Sequence, residues 1–212
     1  MPADVEAVYG VLLAGGLGRR MGGGDKFLRL LDGRPMLTHV IERARPQVAG
    51  LVINANGDPS RFAHYGLPVA ADVVEGFVGP LAGILTGLEW ARAHAPGCAW
   101  VASLATDTPF FPDDLVPRLL ESVHAEEADI GCAASGGRTH PVFGLWPVTL
   151  APALRRALTS EGVRKIDAWT ARYPVATACF SDEPYDPFFN VNEAADLQQA
   201  EALLPLAATG AR

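Results

Sequence analysis

Short apolar runs alternate with segments of helical period along this chain, and that alternation constrains the fold more than any other feature. Residues 8–13, 51–53, 67–71, 99–104, 130–133 and 142–146 read as strands. Between them, Pro35 opens a helix with Leu37, Val40, Ile41 and Ala44 on one face, and Pro80 opens another with Leu81, Ile84, Leu85 and Leu88. Proline suits both starts, because its missing N–H would be unpaired in the first turn anyway. Residues 112–124 form a third helix with Leu115, Leu119 and Leu120 inward; 58–65 is a short helix, and 192–204 a final amphipathic one. Strands this short and apolar are buried on both faces, so the pattern predicts one α/β domain with a mostly parallel central sheet flanked by helices. The expected domain covers residues 1–206, with 207–212 as a frayed tail. Ligands of such sheets bind beyond the carboxyl ends of the strands. Those ends fall after Leu13, around Asp72 and after Leu104.

With 212 residues, 49% of them hydrophobic, the chain can bury one sizeable core. A net charge of −7 argues against nucleic acid as a partner. No apolar run approaches the roughly 18 residues of a membrane span, and residues 1–8 are acidic where a secretory signal would be basic. The cysteines Cys98, Cys132 and Cys179 sit in strand-like runs without a CxxC pair. They read as buried small hydrophobes in a reduced, cytoplasmic compartment.

The first strand runs into a loop in which six of the twelve residues from Ala14 to Asp25 are glycine. Glycine lets backbone N–H groups turn toward an anion with no Cβ in the way. Arg19, Arg20 and Lys26 add positive charge, which suits a triphosphate. A P-loop is excluded, because Asp25 precedes Lys26 and Phe27 follows it. The dinucleotide pattern fails as well, since reading from Gly16 and Gly18 its last position is Met21.

The run Leu-Ala-Gly-Gly-x-Gly-x-Arg-Met-Gly-Gly-x-Asp-Lys over residues 13–26 resembles the signature of the molybdenum cofactor guanylyltransferases. Its opening Leu-Ala-Gly-Gly is shared with nucleotidyltransferases at large, whereas Arg-Met-Gly-Gly-x-Asp-Lys is narrower. The resemblance covers most of the chain and implies a Rossmann-like nucleotidyltransferase fold. It implies GTP contacts from Leu13, Ala14, Gly15, Gly16, Arg19 and Lys26. It implies another from Asn54 in Ile53-Asn-Ala-Asn56, a position that alone reads as a strand-end turn former.

Asp72 precedes Gly79-Pro-Leu-Ala-Gly83. A carboxylate at a strand end can accept hydrogen bonds from N1–H and the exocyclic amino group of guanine, whereas adenine offers an acceptor at N1. Similarity to the family gives Asp72 that role; a solvated turn aspartate is the plainer reading. Gly79 and Gly83 allow close approach of the nucleotide, beside a helix N-terminus. Asp107, in Ser103-Leu-Ala-Thr-Asp-Thr-Pro-Phe110, sits where the fourth strand ends. Mg²⁺ takes hard oxygens and usually one or two protein carboxylates, so a single aspartate aimed at a triphosphate suffices. The family often carries cysteine where Thr106 stands, a change that spares the carboxylate. Capping of the helix near Pro112 is the other role open to Asp107.

Phe188-Phe-Asn-Val-Asn192 resembles a family segment near the pterin, with Asn190 and Asn192 on one side of an extended strand. Asn192 could equally cap the helix that follows. In Arg138-Thr-His-Pro-Val142, His140 could contact the second substrate or be structural; Arg164 and Lys165 read as a solvated helix face that could meet the pterin phosphate.

Taken from the resemblance, the expected reaction transfers GMP from GTP to the phosphate of molybdopterin or the molybdenum cofactor, with Lys26 and Asp107 catalytic and pyrophosphate leaving. The nucleophile is already an anion, which agrees with the absence of Gly-x-Ser-x-Gly and His-Glu-x-x-His. Expected partners are GTP, the pterin, other proteins of the cofactor's biosynthesis, and recipient molybdoenzymes or their chaperones; a monomer without membrane contact is expected. Three alternatives stay open: a cytidylyltransferase for the same pterin, a sugar-phosphate nucleotidyltransferase, and a non-catalytic nucleotide-binding regulator.

Overall fold

A computed structural model describes residues 7–15, 28–76 and 79–209. Its elements run β1 (Val8–Leu13), β2 (Leu30–Leu31), β3 (Arg34–Pro35), α1 (Met36–Ala44), β4 (Gly50–Asn54), β5 (Val69–Ala70), α2 (Pro80–His94), β6 (Trp100–Ala105), α3 (Leu115–Ala125), β7 (Ile130–Ser135), β8 (Arg138–Pro147), α4 (Ala151–Thr159), α5 (Ile166–Thr170), β9 (Val175–Phe180) and α6 (Ala194–Thr209). Seven strands form the central sheet in the order β5-β4-β1-β6-β8-β7-β9. β1 lies parallel between β4 and β6, in the middle of the sheet's parallel half. β8 runs against both its neighbours, and β9 closes the sheet parallel to β7. The result is the expected single α/β domain with a mostly parallel sheet.

Neighbouring residues of each inner strand serve opposite faces of the sheet. Leu12, Ile53 and Leu104 pack with Val40 of α1 and Leu115 and Leu119 of α3. Val11, Val52 and Val101 pack with Ile84 and Leu88 of α2, Leu154 of α4 and Trp169 of α5. This explains why the strands read as continuous apolar runs. Fully burying each such side chain is worth about 1.5–3 kcal/mol. Helix α2 lies against β1 so closely that a Cβ on Gly87 would stand 2.6 Å from Val11 Cβ. Glycine costs an exposed helix about 1 kcal/mol relative to alanine, and here the close approach is what it permits.

The β2–β3 hairpin, absent from the sequence reading, turns at Asp32 and Gly33 with φ of 51° and 70°. Those angles are the ones a two-residue type I′ turn requires, and Asp-Gly is its usual sequence. Leu31 and Met36 from this corner pack with Phe110, Val191 and Ala200. That small cluster pins α6 beside the rest of the domain.

Several expected boundaries shift. The third helix starts at Leu115 rather than Pro112, and the edge strand shortens to Val69–Ala70, with β4 as its partner. Helix α6 runs to Thr209, past the expected tail boundary, and Ala207 is buried. The structure adds α4 and α5, and gives the strand-like run around Cys179 its bounds as β9. In β9 the inward residues are Ala176, Ala178 and Phe180 while Val175, Thr177 and Cys179 face out. Small residues inside and a valine outside erase the hydrophobic contrast on which a period-two reading depends. The expectation of three buried cysteines is likewise corrected. Cys179 is exposed on the edge strand, Cys98 lies half-buried before β6, and Cys132 is half-buried in β7. Burial pushes the Cys132 thiol up to about 11.

Candidate active site

β1, β4 and β6 end side by side, with Leu13 level with Asn54 on one side and Ala105 on the other. The residues beyond these ends therefore share one edge of the sheet. Ala14 donates its N–H to Asn54 O at 2.9 Å, extending the ladder by one bond before Gly15 emerges exposed. Gly16, Arg19 and Lys26 lie outside the described residues.

Asn54 is 3% exposed, and its side chain is committed to neighbours. Nδ2 donates to Ala70 O at 3.2 Å and to Asp72 Oδ1 at 2.9 Å. Asn56 Nδ2 donates to the other carboxylate oxygen, Oδ2, at 2.8 Å. Asp72 thus presents a carboxylate gripped at both oxygens, two residues past β5, and it is half-buried. Gly83 of α2 faces the same asparagine, where a Cβ would collide with Asn54 Oδ1 and stand 2.6 Å from Leu13 Cδ2. Gly79, just before α2, has φ of 150°, a conformation that side-chain-bearing residues rarely adopt. The N-terminus of α2 consequently opens beside Asn54 and Leu13.

The loop after β6 closes the other side. Thr106 Oγ1 donates to Leu13 O at 3.1 Å, so the hydroxyl at this position ties the two strand ends together. Asp107 follows, half-buried. Its cap role is excluded: α3 begins at Leu115 with Asp114 at its N-cap. Val191 N–H donates to Asp107 O at 2.8 Å, and Thr108 Oγ1 bonds Asn190 Oδ1. The Asn190-Val-Asn192 segment is therefore bound along the Asp107 loop. Val191 is fully buried while both asparagines are exposed, as the alternation predicts. Asp196 Oδ2 accepts from Asn192 N at 2.8 Å and Glu193 N at 2.7 Å, so that carboxylate serves the start of α6.

His140 stands further along, on β8. Its Nε2 lies 2.7 Å from Ser135 Oγ, and Ser135 donates to Asp186 Oδ1 at 2.8 Å. With the serine proton given to Asp186, Ser135 Oγ accepts from His140, which places the imidazole proton on Nε2. Asp186 Oδ1 also accepts from Phe188 N at 2.9 Å, and the imidazole stacks on the Phe188 ring at 4.3 Å between centroids. Desolvation pushes the His140 pKa down; Asp186 opposes this and Arg138 adds to it. Arg164 Nη1 donates to Val163 O at 3.0 Å, and its own carbonyl faces Gly79.

Residues 10–180 match the MobA-like NTP transferase domain. A molybdenum cofactor guanylyltransferase of Bradyrhizobium sp. is 58% identical over 95% of each chain. The chain belongs to the molybdenum cofactor guanylyltransferase family. Another member, from Rhodopseudomonas palustris, is 53% identical over 95% of this chain and 96% of its own. The fold of this guanylyltransferase-family chain recurs in molybdopterin-guanine dinucleotide biosynthesis protein A of Archaeoglobus fulgidus. That likeness has a TM-score of 0.73 and 23% identity, and covers 93% of this chain and 99% of that one. It also recurs, at a TM-score of 0.72 and 14% identity over 95% and 97% of the two chains, in 4-diphosphocytidyl-2C-methyl-D-erythritol synthase of Anaerococcus prevotii. The fold by itself therefore does not choose the base.

The sequence reading missed Asn56, Ser135 and Asp186. Asn56 had a signal, since Asn-x-Asn after a strand places both amides on one side. Ser135 and Asp186, 51 positions apart, had none. For a metal, the donor set around Asp107 is a carboxylate with the Thr108 hydroxyl beside it at 3.4 Å. Among the described residues, no group of three or more His, Cys, Asp or Glu side chains could cage an ion. One hard carboxylate fits an ion that keeps its water and phosphate ligands, as Mg²⁺ does.

Proposed function

We propose that this protein transfers GMP from GTP to the phosphate of molybdopterin or the molybdenum cofactor. A phosphate oxygen of the pterin attacks the α-phosphorus, the bond to the β-phosphate oxygen breaks, and pyrophosphate leaves. The observation that carries this reading is 58% identity, along 95% of both chains, to a relative named for the guanylyl transfer.

Each part of the site has a physical task in this reaction. Asp72 accepts N1–H and the 2-amino group of guanine. Cytosine offers an acceptor at N3 where guanine offers a donor, which favours GTP over CTP as the substrate. Lys26, Arg19 and the backbone of Gly15 and Gly16 hold the phosphates, with Leu13 and Ala14 forming the base of that loop. Gly79 and Gly83 let the nucleotide approach α2. Asn54 acts by fixing Asp72. Asp107 would hold Mg²⁺, which when bound neutralises charge on the triphosphate. Asn190 and Asn192, tied to the Asp107 loop, meet the pterin, and His140, stacked on Phe188 of the same segment, contacts it as well. No side-chain nucleophile is needed, and the rate comes from alignment and fixed charge. The protein works in the cytoplasm as a monomer, and hands its product to molybdoenzymes or their chaperones.

The test is pyrophosphate release from purified protein with Mg²⁺, molybdopterin, and GTP, CTP, ATP or UTP in turn. GTP turns over preferentially. A preference for CTP would make this a cytidylyltransferase, and tight GTP binding without pyrophosphate under any pairing would make it a non-catalytic binder. Chelation of the divalent ion abolishes turnover; full activity in chelator would remove the metal from the reaction.

A further inference from the structure

We infer that Asn56 sets the base selectivity of this site by holding the Asp72 carboxylate in one orientation. The inference rests on the reading of Asp72 as the guanine acceptor. Asn56 grips Asp72 twice: Nδ2 donates to Oδ2 at 2.8 Å, and Oδ1 accepts from the Asp72 backbone N–H at 2.9 Å. From the other side, Asn54 Nδ2 donates to Oδ1 at 2.9 Å. An aspartate's outer torsion is broad and costs little to rotate. With a donor on each oxygen and the backbone fixed by the same amide, that rotation is stopped.

The geometry leaves a definite pair of acceptors. Each carboxylate oxygen has about two lone-pair positions. One on each is taken by an asparagine, and one on each remains. Two parallel acceptors match two parallel N–H donors, which guanine presents at N1 and its 2-amino group. A base with a single such donor uses only half of the arrangement. Hypoxanthine, which has N1–H and no 2-amino group, is that base.

Asn56 is itself held in place. Arg61 Nη2 donates to Asn56 O at 2.7 Å and Arg61 Nε to Asp58 O at 3.0 Å. Gly57 turns the chain with φ of 86°, and Asp58 accepts from Ser60 N at 2.9 Å to start the short helical turn that follows. Beyond Asp72, Val73 N–H donates to Thr86 Oγ1 of α2 at 3.2 Å. Both ends of the clamp are anchored, so neither swings to recover a lost bond. Asn56 touches no reacting atom in this account; it is a positioning residue.

The experiment compares kcat/KM for GTP with that for inosine triphosphate, using the full chain, Mg²⁺ and molybdopterin. Equilibrium binding of each nucleotide without the pterin serves as a second readout, and the melting temperature as the folding control. Asn56→Ala lowers the GTP to inosine triphosphate ratio about tenfold, the scale of one charge-assisted hydrogen bond. The loss lies in KM for GTP, with kcat at saturation unchanged. Asn56→Asp lowers the ratio further, since a second carboxylate then faces Asp72. Asp72→Asn collapses the ratio as the reference. If Asp72→Asn does so while Asn56→Ala leaves the ratio at the unmutated value in both readouts, Asn56 is a turn residue and the inference falls alone. If Asp72→Asn also leaves the ratio unchanged, the base-reading role of Asp72 falls and takes the inference with it.

Discussion

On the β4–β1–β6 edge, polar groups hang directly from strand ends, whereas on the β7–β8 side they are joined in a chain from His140 through Ser135 to Asp186. The first edge is set by the backbone. Parallel pairing of β1 with β4 and β6 brings Gly15, Asn54 and the Asp107 loop together, and Thr106 to Leu13 O adds a cross-link. The second edge depends on side chains from three separate segments, each oriented by the next. A backbone-set edge keeps its strand ends in place when one side chain is lost, even where a clamped carboxylate such as Asp72 is freed; a relayed edge loses its arrangement when any link goes. On the proposed reaction, the first edge holds the nucleotide and the second shapes the acceptor side.

The largest effect is expected at Asp107. Asp107→Ala lowers kcat by about 10²–10³-fold, the scale of removing one preorganised electrostatic group, while GTP still binds in an equilibrium titration. An unchanged kcat would remove Asp107 from the mechanism, and lost binding would mean that the backbone does not set this edge alone. Next comes Gly83→Ala, whose new Cβ collides with the clamped Asn54 side chain. It destabilises the fold by about 1–3 kcal/mol, as overpacking does, and raises KM for GTP. Chemical denaturation with matched kinetics tests it; wild-type stability would show that α2 has room to shift. Asp186→Ala strips the partner from Ser135, Arg138 and Phe188 N–H at once. KM for the pterin rises about tenfold, for the loss of charge-assisted bonds, and KM for GTP holds. Equal increases in both constants would collapse the distinction between the edges.

The smallest effect concerns pH. Burial holds the His140 pKa below its ordinary 6.5, so the unfolded chain takes up the proton first as pH falls. The neutral imidazole's contribution is complete above the unfolded value and is lost as pH drops from there through the folded value. Melting temperature therefore declines on acidification across that window, and His140→Gln flattens the decline. An identical slope in the variant would assign the acid sensitivity to other groups.

The alternating apolar runs, their order along the chain and the parallel core were legible because burial on both faces keeps the strand interiors largely apolar, as in Val11–Leu12 and Val52–Ile53. The loop after β1, Asp72 and Asp107 were legible because strand ends are the places where such a sheet binds ligands. What stayed hidden was set by distance, by short length or by weak contrast: the alanine-lined inner face of β9, the five-residue helix α5, and the joining of Ser135 to Asp186. The glycine run from Gly15 and the narrow motif through Lys26 are matters of local composition, and the sequence by itself determined them. That both oxygens of Asp72 are gripped, and that Asn190 lies along the Asp107 loop, only the tertiary structure decided. Those contacts depend on the parallel order of β5, β4, β1 and β6 and on where residues 188–192 cross it, and no spacing along the chain encodes either.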